Sequence, residues 1–407
     1  MRIKAFKGLH PVPDMAASVC SVPYDVVNTE EARAMAKGNE WSFLHVVRPE
    51  IDLPEGTDTH IDAVYEKAAE NFDRFQKEGV LVREQEDSVY VYRQIMGDHV
   101  QSGVIACSNI DDYANGLIKK HEKTRQDKED DRTKHVLTLN ANAGPVFLTY
   151  KDNSSIDAIV GEIEKREPLF DLTPPDGIQH TVWRAGESRE SLIKAFEEVA
   201  AFYIADGHHR AAAAARAGQE KKDANPNHTG EEEYNWFTTV LFPAKQLNIL
   251  PYNRSVHDLN GKSEAEVIEA IKDAVTLEED TLPSPDETRK VSMYIGGKWY
   301  GLSWDEDQDA DPVSALDVSY LQDKILAPIL GIDDPRTSTR IDFVGGIRGT
   351  EELERLVDSG KGAVAFSMYP CLVEQMMAIA DADQIMPPKS TWFEPKLRSG
   401  LLIHTLD

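Results

Sequence analysis

Phe202-Tyr203-Ile204-Ala205-Asp206-Gly207-His208-His209-Arg210, followed at once by the alanine-rich run Ala211 to Ala217 and by Gly218, is the stretch on which the reading of this chain turns. Four apolar residues run into an Asp-Gly pair and then into residues of high helix propensity. The pattern predicts a strand, a tight turn and a helix, with Gly218 as the helix stop. A glycine at such a turn lets backbone N–H groups swing toward a ligand, and the first helical turn adds donors without intrahelical partners and a partial positive charge. Anions bind at such ends. His208, His209 and Arg210 add side-chain donors, and a guanidinium can grip two phosphate oxygens at once. Asp206 would be repelled by a bare phosphate, so its presence points to a bridging magnesium ion or to a substrate proton for it to accept. The competing account is a helix capped by Asp206 with histidines on its surface. Adjacent His-His-Arg after Asp-Gly at a strand-to-helix turn favours the functional account.

Working outward, apolar periodicity alternates between the two regular types, as a layered α/β or α+β structure requires. A turn-rich opening, Pro11 to Asn28, precedes a helix over Thr29 to Lys37, for which Thr29 serves as cap, and a second helix spans His60 to Gly79. Ser88 to Gln94 and Ser102 to Cys107 form a hairpin about Gly97-Asp98. A charged segment from Lys119 to Arg132 enters a helix near Thr124. Strands are expected at Pro145 to Tyr150, His180 to Trp183, Trp236 to Leu241 and Val291 to Leu302, and helices at Ser155 to Arg166 and Ser188 to Val199. Past the acidic loop Asp305 to Asp311, a candidate linker, come helices near Leu316 to Leu330, Glu351 to Ser359 and Val373 to Ala382, with a strand at Ala363 to Phe366.

Composition limits the function classes. With 407 residues, 41% of them hydrophobic, the chain can bury a full core and supports about two or three domains. The 44 basic residues face 71 acidic ones, and the formal charge of −27 disfavours unassisted binding to duplex phosphates while leaving room for a small basic pocket. Cys20, Cys107 and Cys371 are scattered without a CxxC pair, so neither a disulfide framework nor a structural zinc site is encoded. No apolar run approaches a membrane span and no apolar stretch comes after Lys7, which together lead to the expectation of a cytoplasmic protein.

A second motif carries chemistry. His121-Glu122 is flanked by Lys119, Lys120, Lys123 and Arg125, cations that keep a carboxylate ionised and able to accept a hydroxyl proton if the fold brings it near Asp206. By itself the segment reads more readily as a solvated helix start, with Glu122 as an N-terminal acid.

The order of these pieces, His-Glu after a strand and then strand-Asp-Gly-His-His-Arg-helix, resembles the superfamily of ParB-like and sulfiredoxin-like folds. That resemblance implies a nucleotide-binding core with a mixed sheet, elaborated by N- and C-terminal α+β regions. The expected division is 1–87, a core at 88–255 with an insertion over 124–201, and 256–407. Free serine kinases in that superfamily use a His-Glu glutamate as catalytic base and an Asp-Gly-His-His-Arg loop for nucleotide phosphates. Carried over, Glu122 and Asp206 are catalytic, Gly207, His208, His209, Arg210 and His121 contact the nucleotide, and Asp206 assists Mg2+. Thr124, Arg125, Lys389 and Arg398 are candidates for holding the substrate.

End to end, the chain also resembles the bacterial family catalogued as domain of unknown function 1015. The matching segments are Pro23-Tyr24-Asp25-Val26-Val27, Ser42-Phe43-Leu44-His45-Val46, His121 to Thr124, Asp206 to Arg210 and Met386 to Gly400. In the C-terminal segment Lys389 or Arg398 is placed to hold a carboxylate or phosphate, with an aromatic-docked tail as the alternative. Tyr24 and Asp25 are turn residues first and substrate contacts second.

The resemblance implies a kinase of a small molecule, moving phosphate from ATP or ADP to free L-serine or another small hydroxyl compound; the acidic charge and the lack of an apolar span lead to the expectation of no nucleic-acid or membrane partner, and a homodimer is compatible with this reading. Two rivals stand beside it. His121, Glu122, Asp206, His208 and His209 are residue types that bind zinc or manganese, as a phosphoserine phosphatase-like hydrolase would need. A non-catalytic nucleotide switch of the ParB type is the other. Gly261-Lys262-Ser263 is a helix start and no P-loop, because Val256 stands where the first glycine is required. Asp305, Asp307 and Asp309 have calcium-loop spacing without the required Gly and Glu, and a solvated loop is expected.

Overall fold

The computed structural model describes residues 1–407, which form two units: Met1–Leu247 with Pro395–Asp407, and Asn248–Glu394. The fold is mixed α+β, as the alternating periodicity predicts.

The first unit is built on a nine-stranded mixed sheet. In spatial order its strands are Ile118–Lys119, Phe202–Asp206, Val146–Tyr150, Trp236–Pro243, His99–Asn109, Tyr90–Met96, Gln179–Arg184 and Phe170–Leu172, with Ile3–Lys4 also pairing onto His99–Asn109. The pairings of Ile118–Lys119 with Phe202–Asp206 and of Val146–Tyr150 with Trp236–Pro243 are parallel, and the rest are antiparallel. Central strands read as near-continuous apolar runs because both faces are covered. Val104, Ala106, Leu148, Ile204 and Leu241 pack with Ile156, Ile163, Leu192 and Phe196 of helices Ser154–Ile163 and Arg189–Phe196. A second core gathers the N-terminal helices, with Phe43, Phe72 and Phe75 around Leu139, Ala143 and Ile403.

The tail returns to this unit through main-chain bonds. Leu9 and Ile403 exchange N–H···O bonds at 3.0 and 2.9 Å, Ser21 and Ser399 do the same at 3.1 and 2.9 Å, and His404–Thr405 pairs with Ala141–Asn142. The expected boundaries at 87/88 and 255/256 do not coincide with the two units. Strand Ile3–Lys4 lies in the same sheet as the core, and segment 124–201 supplies the central strand Val146–Tyr150 as well as Gln179–Arg184. Pairing across long stretches of chain, invisible to local composition, sets these boundaries.

The second unit carries a six-stranded antiparallel sheet in the order Thr276–Glu279, Lys298–Ser303, Lys290–Ile295, Val364–Met368, Tyr252–Val256 and Ile341–Gly345. Its core joins Met293, Leu302 and Phe366 to Val267, Ile271, Leu321 and Ile325. The acidic loop Asp305 to Asp311 falls inside this unit and divides nothing. Ser263 caps helix Glu264–Ala274 in a capping box with Glu266, as the helix-start reading of Gly261-Lys262-Ser263 requires.

Two local expectations are corrected. Asn28, not Thr29, caps helix Thr29–Ala36, because Asn28 accepts the Glu31 N–H while Glu31 reaches back to the Asn28 N–H. Gly218 does not stop its helix, which runs from His208 to Ala224. The alanines outweigh the roughly 1 kcal/mol cost of one interior glycine, and packing demands the glycine: a Cβ there would lie 2.3 Å from the Tyr234 carbonyl oxygen and 2.8 Å from Ile110. Gly218→Ala is therefore expected to lower stability by about 1–3 kcal/mol, the usual cost of overpacking. Denaturant unfolding of both proteins measures this, and an unchanged midpoint would show that the Tyr234 loop yields freely.

Candidate functional site

Strand Phe202–Asp206 ends where Gly207, at φ +92°, turns the chain into the helix beginning at His208. That backbone conformation suits glycine, and an added Cβ would press on the Arg210 guanidinium at 3.1 Å. The N–H groups of the first helical turn have no intrahelical acceptor. They form one wall of the site.

The other wall comes from eighty residues upstream. Ile118 pairs with Phe202 and Lys119 with Tyr203 in parallel, so both strands deliver their C-terminal ends to the same edge of the sheet. In open α/β sheets that end is where ligands bind. His121 and Glu122 thereby reach the corner. The His121 and His208 rings meet edge to face with centroids 4.5 Å apart, and Glu122 Oε2 lies 3.6 Å from His208 Nδ1. The Glu122 side chain is 55% exposed while His208 is buried. A water-facing carboxylate thus sits beside a dry imidazole.

Both histidines are held neutral. Burial pushes His121 down to about 4, against the opposing pull of Asp206 and a bond to the Ile204 carbonyl. Burial also holds His208 well below its ordinary value, reinforced by His121, His209 and the cations of Lys120 and Arg210. His121 Nδ1 and His208 Nε2 are buried without a hydrogen-bond partner. His209 is lowered by burial, and its Nε2 accepts the Arg125 backbone N–H at 3.1 Å, which leaves the ring proton on Nδ1. His209 therefore clasps the loop carrying Glu122.

Arg210 turns inward. Its Nη1 donates to the Pro145 carbonyl, and its Nη2 lies 3.0 Å from Asp206 and 3.5 Å from Asp25. Burial works against its charge, but Asp25 and Asp206 outweigh burial and raise its affinity for the proton. The forked end expected to grip phosphate is thus committed to two carboxylates and a carbonyl. For Asp206, burial opposes ionisation, yet Lys396 and then Arg210, with the Gly207 N–H, hold the carboxyl below its ordinary value.

Lys396, 3.8 Å from Asp206, is the residue that sequence reasoning missed. The signal lay in the cation-rich tail, where Lys389 and Arg398 were preferred and the intervening lysine passed over. Arg398 instead braces the tail: it is buried, pairs with Asp176, and its Nε donates to His180 Nε2 at 3.0 Å. Lys389 belongs to the second unit, where its carbonyl accepts from Arg254 and its ammonium lies over the Tyr252 ring at 5.4 Å. Thr124 donates to Glu129, and the Arg125 side chain pairs with Asp127 in the open.

No group of three or more His, Cys, Asp or Glu side chains is arranged to hold a metal ion. The five residues proposed as transition-metal ligands therefore form no such set. Asp206, already flanked by Arg210 and Lys396, is not an uncommitted ligand for Mg2+ either. No helix is long and apolar enough to cross a membrane.

The family pattern described as protein of unknown function (DUF1015) matches residues 3–319. No curated protein matches the sequence. Among solved structures, SbnI with C-terminal truncation from Staphylococcus aureus has a TM-score of 0.40 and 11% identity, covering 74% of this chain and 87% of its own. A free serine kinase in complex with AMP has 0.34 and 13%, covering 74% and 92%. A conserved hypothetical protein from Pyrococcus furiosus has 0.34 and 14%, covering 74% and 95%. Scores of this size leave fold and activity to be argued from the chain's own geometry.

Lys396→Met removes the cation that does most to offset burial at Asp206. A depressed carboxyl adds stability that is full above its unfolded value of 3.8 and is lost as pH falls through the folded one. Raising the folded value therefore lowers stability at neutral pH and starts acid unfolding earlier. Denaturant titrations from neutral to acid pH test this, and superimposable curves for the two proteins would remove Lys396 from the role.

Proposed function

The chain belongs to the family described as protein of unknown function (DUF1015), and because membership brings no activity with it, we propose one from the site: phosphoryl transfer from ATP or ADP to a small hydroxyl compound, with free L-serine as the first acceptor to test. The observation that carries this reading is the 3.6 Å approach of an exposed carboxylate, Glu122, to the buried first turn of the helix at His208. An anion-holding end and a proton acceptor on one edge of a sheet are the two parts phosphoryl transfer needs, since that reaction is mostly positioning and charge neutralisation.

The donor phosphates lie over the N–H groups of His208, His209 and Arg210. Nucleotide fits this corner on two counts: the helix leaves those donors unspent, and His208 Nε2 is a buried polar atom without a partner. The protein's own carboxylates do not fit a resident magnesium site, Asp206 being paired with Arg210 and Lys396, so a magnesium ion would arrive with the nucleotide and would supply charge neutralisation. Glu122 takes the acceptor's hydroxyl proton as the new O–P bond forms and the P–O bond to the departing nucleotide breaks. Asp206 acts on position: it holds Arg210 and Lys396, and through them the floor of the corner. Thr124 and Arg125 order the loop that presents Glu122.

The test is incubation of the protein with magnesium, labelled ATP or ADP and a pool of amino acids, followed by a search for a phosphorylated product. Glu122→Gln is expected to lower turnover by roughly 10²–10⁴-fold, the range for a lost general base, with nucleotide binding retained. Full activity in that variant would strip Glu122 of the role. Nucleotide binding without product over all acceptors would favour the switch reading instead.

A further inference from the structure

Within the first unit, Arg210, Ala213 and Ala214 of helix His208–Ala224 line a second pocket. At about 100° per residue, Arg210 points well away from His208, so this pocket is distinct from the corner. Its walls include Val146 and Phe237, and its polar lining includes Arg132, Arg210, Asn142 and Thr238. No aspartate or glutamate is among the lining residues. Both arginines are paired with carboxylates that lie outside the lining, Arg210 with Asp206 and Asp25 and Arg132 with Asp131, so the lining itself presents hydrogen-bond donors and no carboxylate.

Three of these residues carry unspent polar atoms. Nδ2 of Asn142, Oγ1 of Thr238 and Nε of Arg210 are buried without partners, on residues that are 5%, 1% and 8% exposed. Buried groups of this kind are ordinarily paired. Asn142 Oδ1 already accepts the Thr238 N–H at 3.3 Å, which leaves the amide nitrogen as the unused end. Two N–H donors and one hydroxyl call for a ligand that accepts.

The geometry points to a binding site for a small carboxylate, of the size of a two- or three-carbon hydroxy or keto acid. Its oxygens accept from Asn142, Thr238 and Arg210, and its carbon chain rests on the apolar part of the lining. The lining offers no acidic side chain to an ammonium group, so a hydroxy or keto acid fits better than the amino acid of the same length. The site stands independently of the phosphoryl-transfer reading, although Arg210 reaches both places through its contacts with Asp206 and Asp25.

The experiment is calorimetric titration of the full chain with glycolate, L-lactate and pyruvate, and with uncharged lactamide. Saturable binding of at least one carboxylate is expected, with lactamide silent. Thr238→Val should weaken that binding roughly ten-fold, the effect of one lost hydrogen bond to a charged group. The same variant without ligand should melt no lower than the parent, because an unpaired hydroxyl has left the interior. Arg132→Met, at a lining residue that pairs with Asp131, should weaken binding as well and serves if Thr238→Val does not fold. Silence from all three carboxylates, showing a pocket that holds water alone, would overturn the site. So would binding that neither substitution changes.

Discussion

The parallel pairing of Ile118–Lys119 with Phe202–Asp206 is the constraint on which the rest of the site depends. Two residue pairs suffice, because a parallel ladder fixes direction as well as adjacency: the segments that leave the two strands emerge at the same edge. One strand runs on into His121-Glu122, and the other into Gly207 and a helix start. Had the short strand paired in the opposite sense, the same residues would have left at the far edge of the sheet.

The chemistry of the corner is that of charges kept apart by burial. His121 and His208 are dry and neutral, Glu122 faces water, and the cationic weight falls on Arg210 and Lys396, which are used internally to keep Asp206 ionised. Breaking one member of such a buried set leaves the others uncompensated, which is why an arginine placed for ligand binding by its position after the histidines serves structure first. On the proposed reading, anion binding then rests on the backbone donors of the first helical turn, whose geometry Gly207 sets.

Much of the site was legible locally. The Asp-Gly-His-His-Arg turn, the alanine helix and the Gly97-Asp98 hairpin are signals that the backbone obeys over a few residues, and they stand where the pattern placed them. The errors have a common source in packing. Gly218 reads as a stop signal until Tyr234 is seen against it, and Arg398 reads as a ligand cation until Asp176 and His180 are found beside it. Asn28 and Thr29 are both competent caps, and the reciprocal reach of Glu31 decided between them.

By itself, then, the sequence determined the element types, the glycine turn, the acidic character of the chain and the two motifs proposed for chemistry, since each depends on neighbours within a turn or a strand. Only the tertiary structure decided that the motifs converge, that Lys396 of the returning tail joins them, and that Asn142 and Thr238 are left with unspent hydrogen-bonding atoms beside a second pocket. Those are contacts between residues tens to hundreds of positions apart. Their energies come from burial and pairing in three dimensions, which no local pattern encodes.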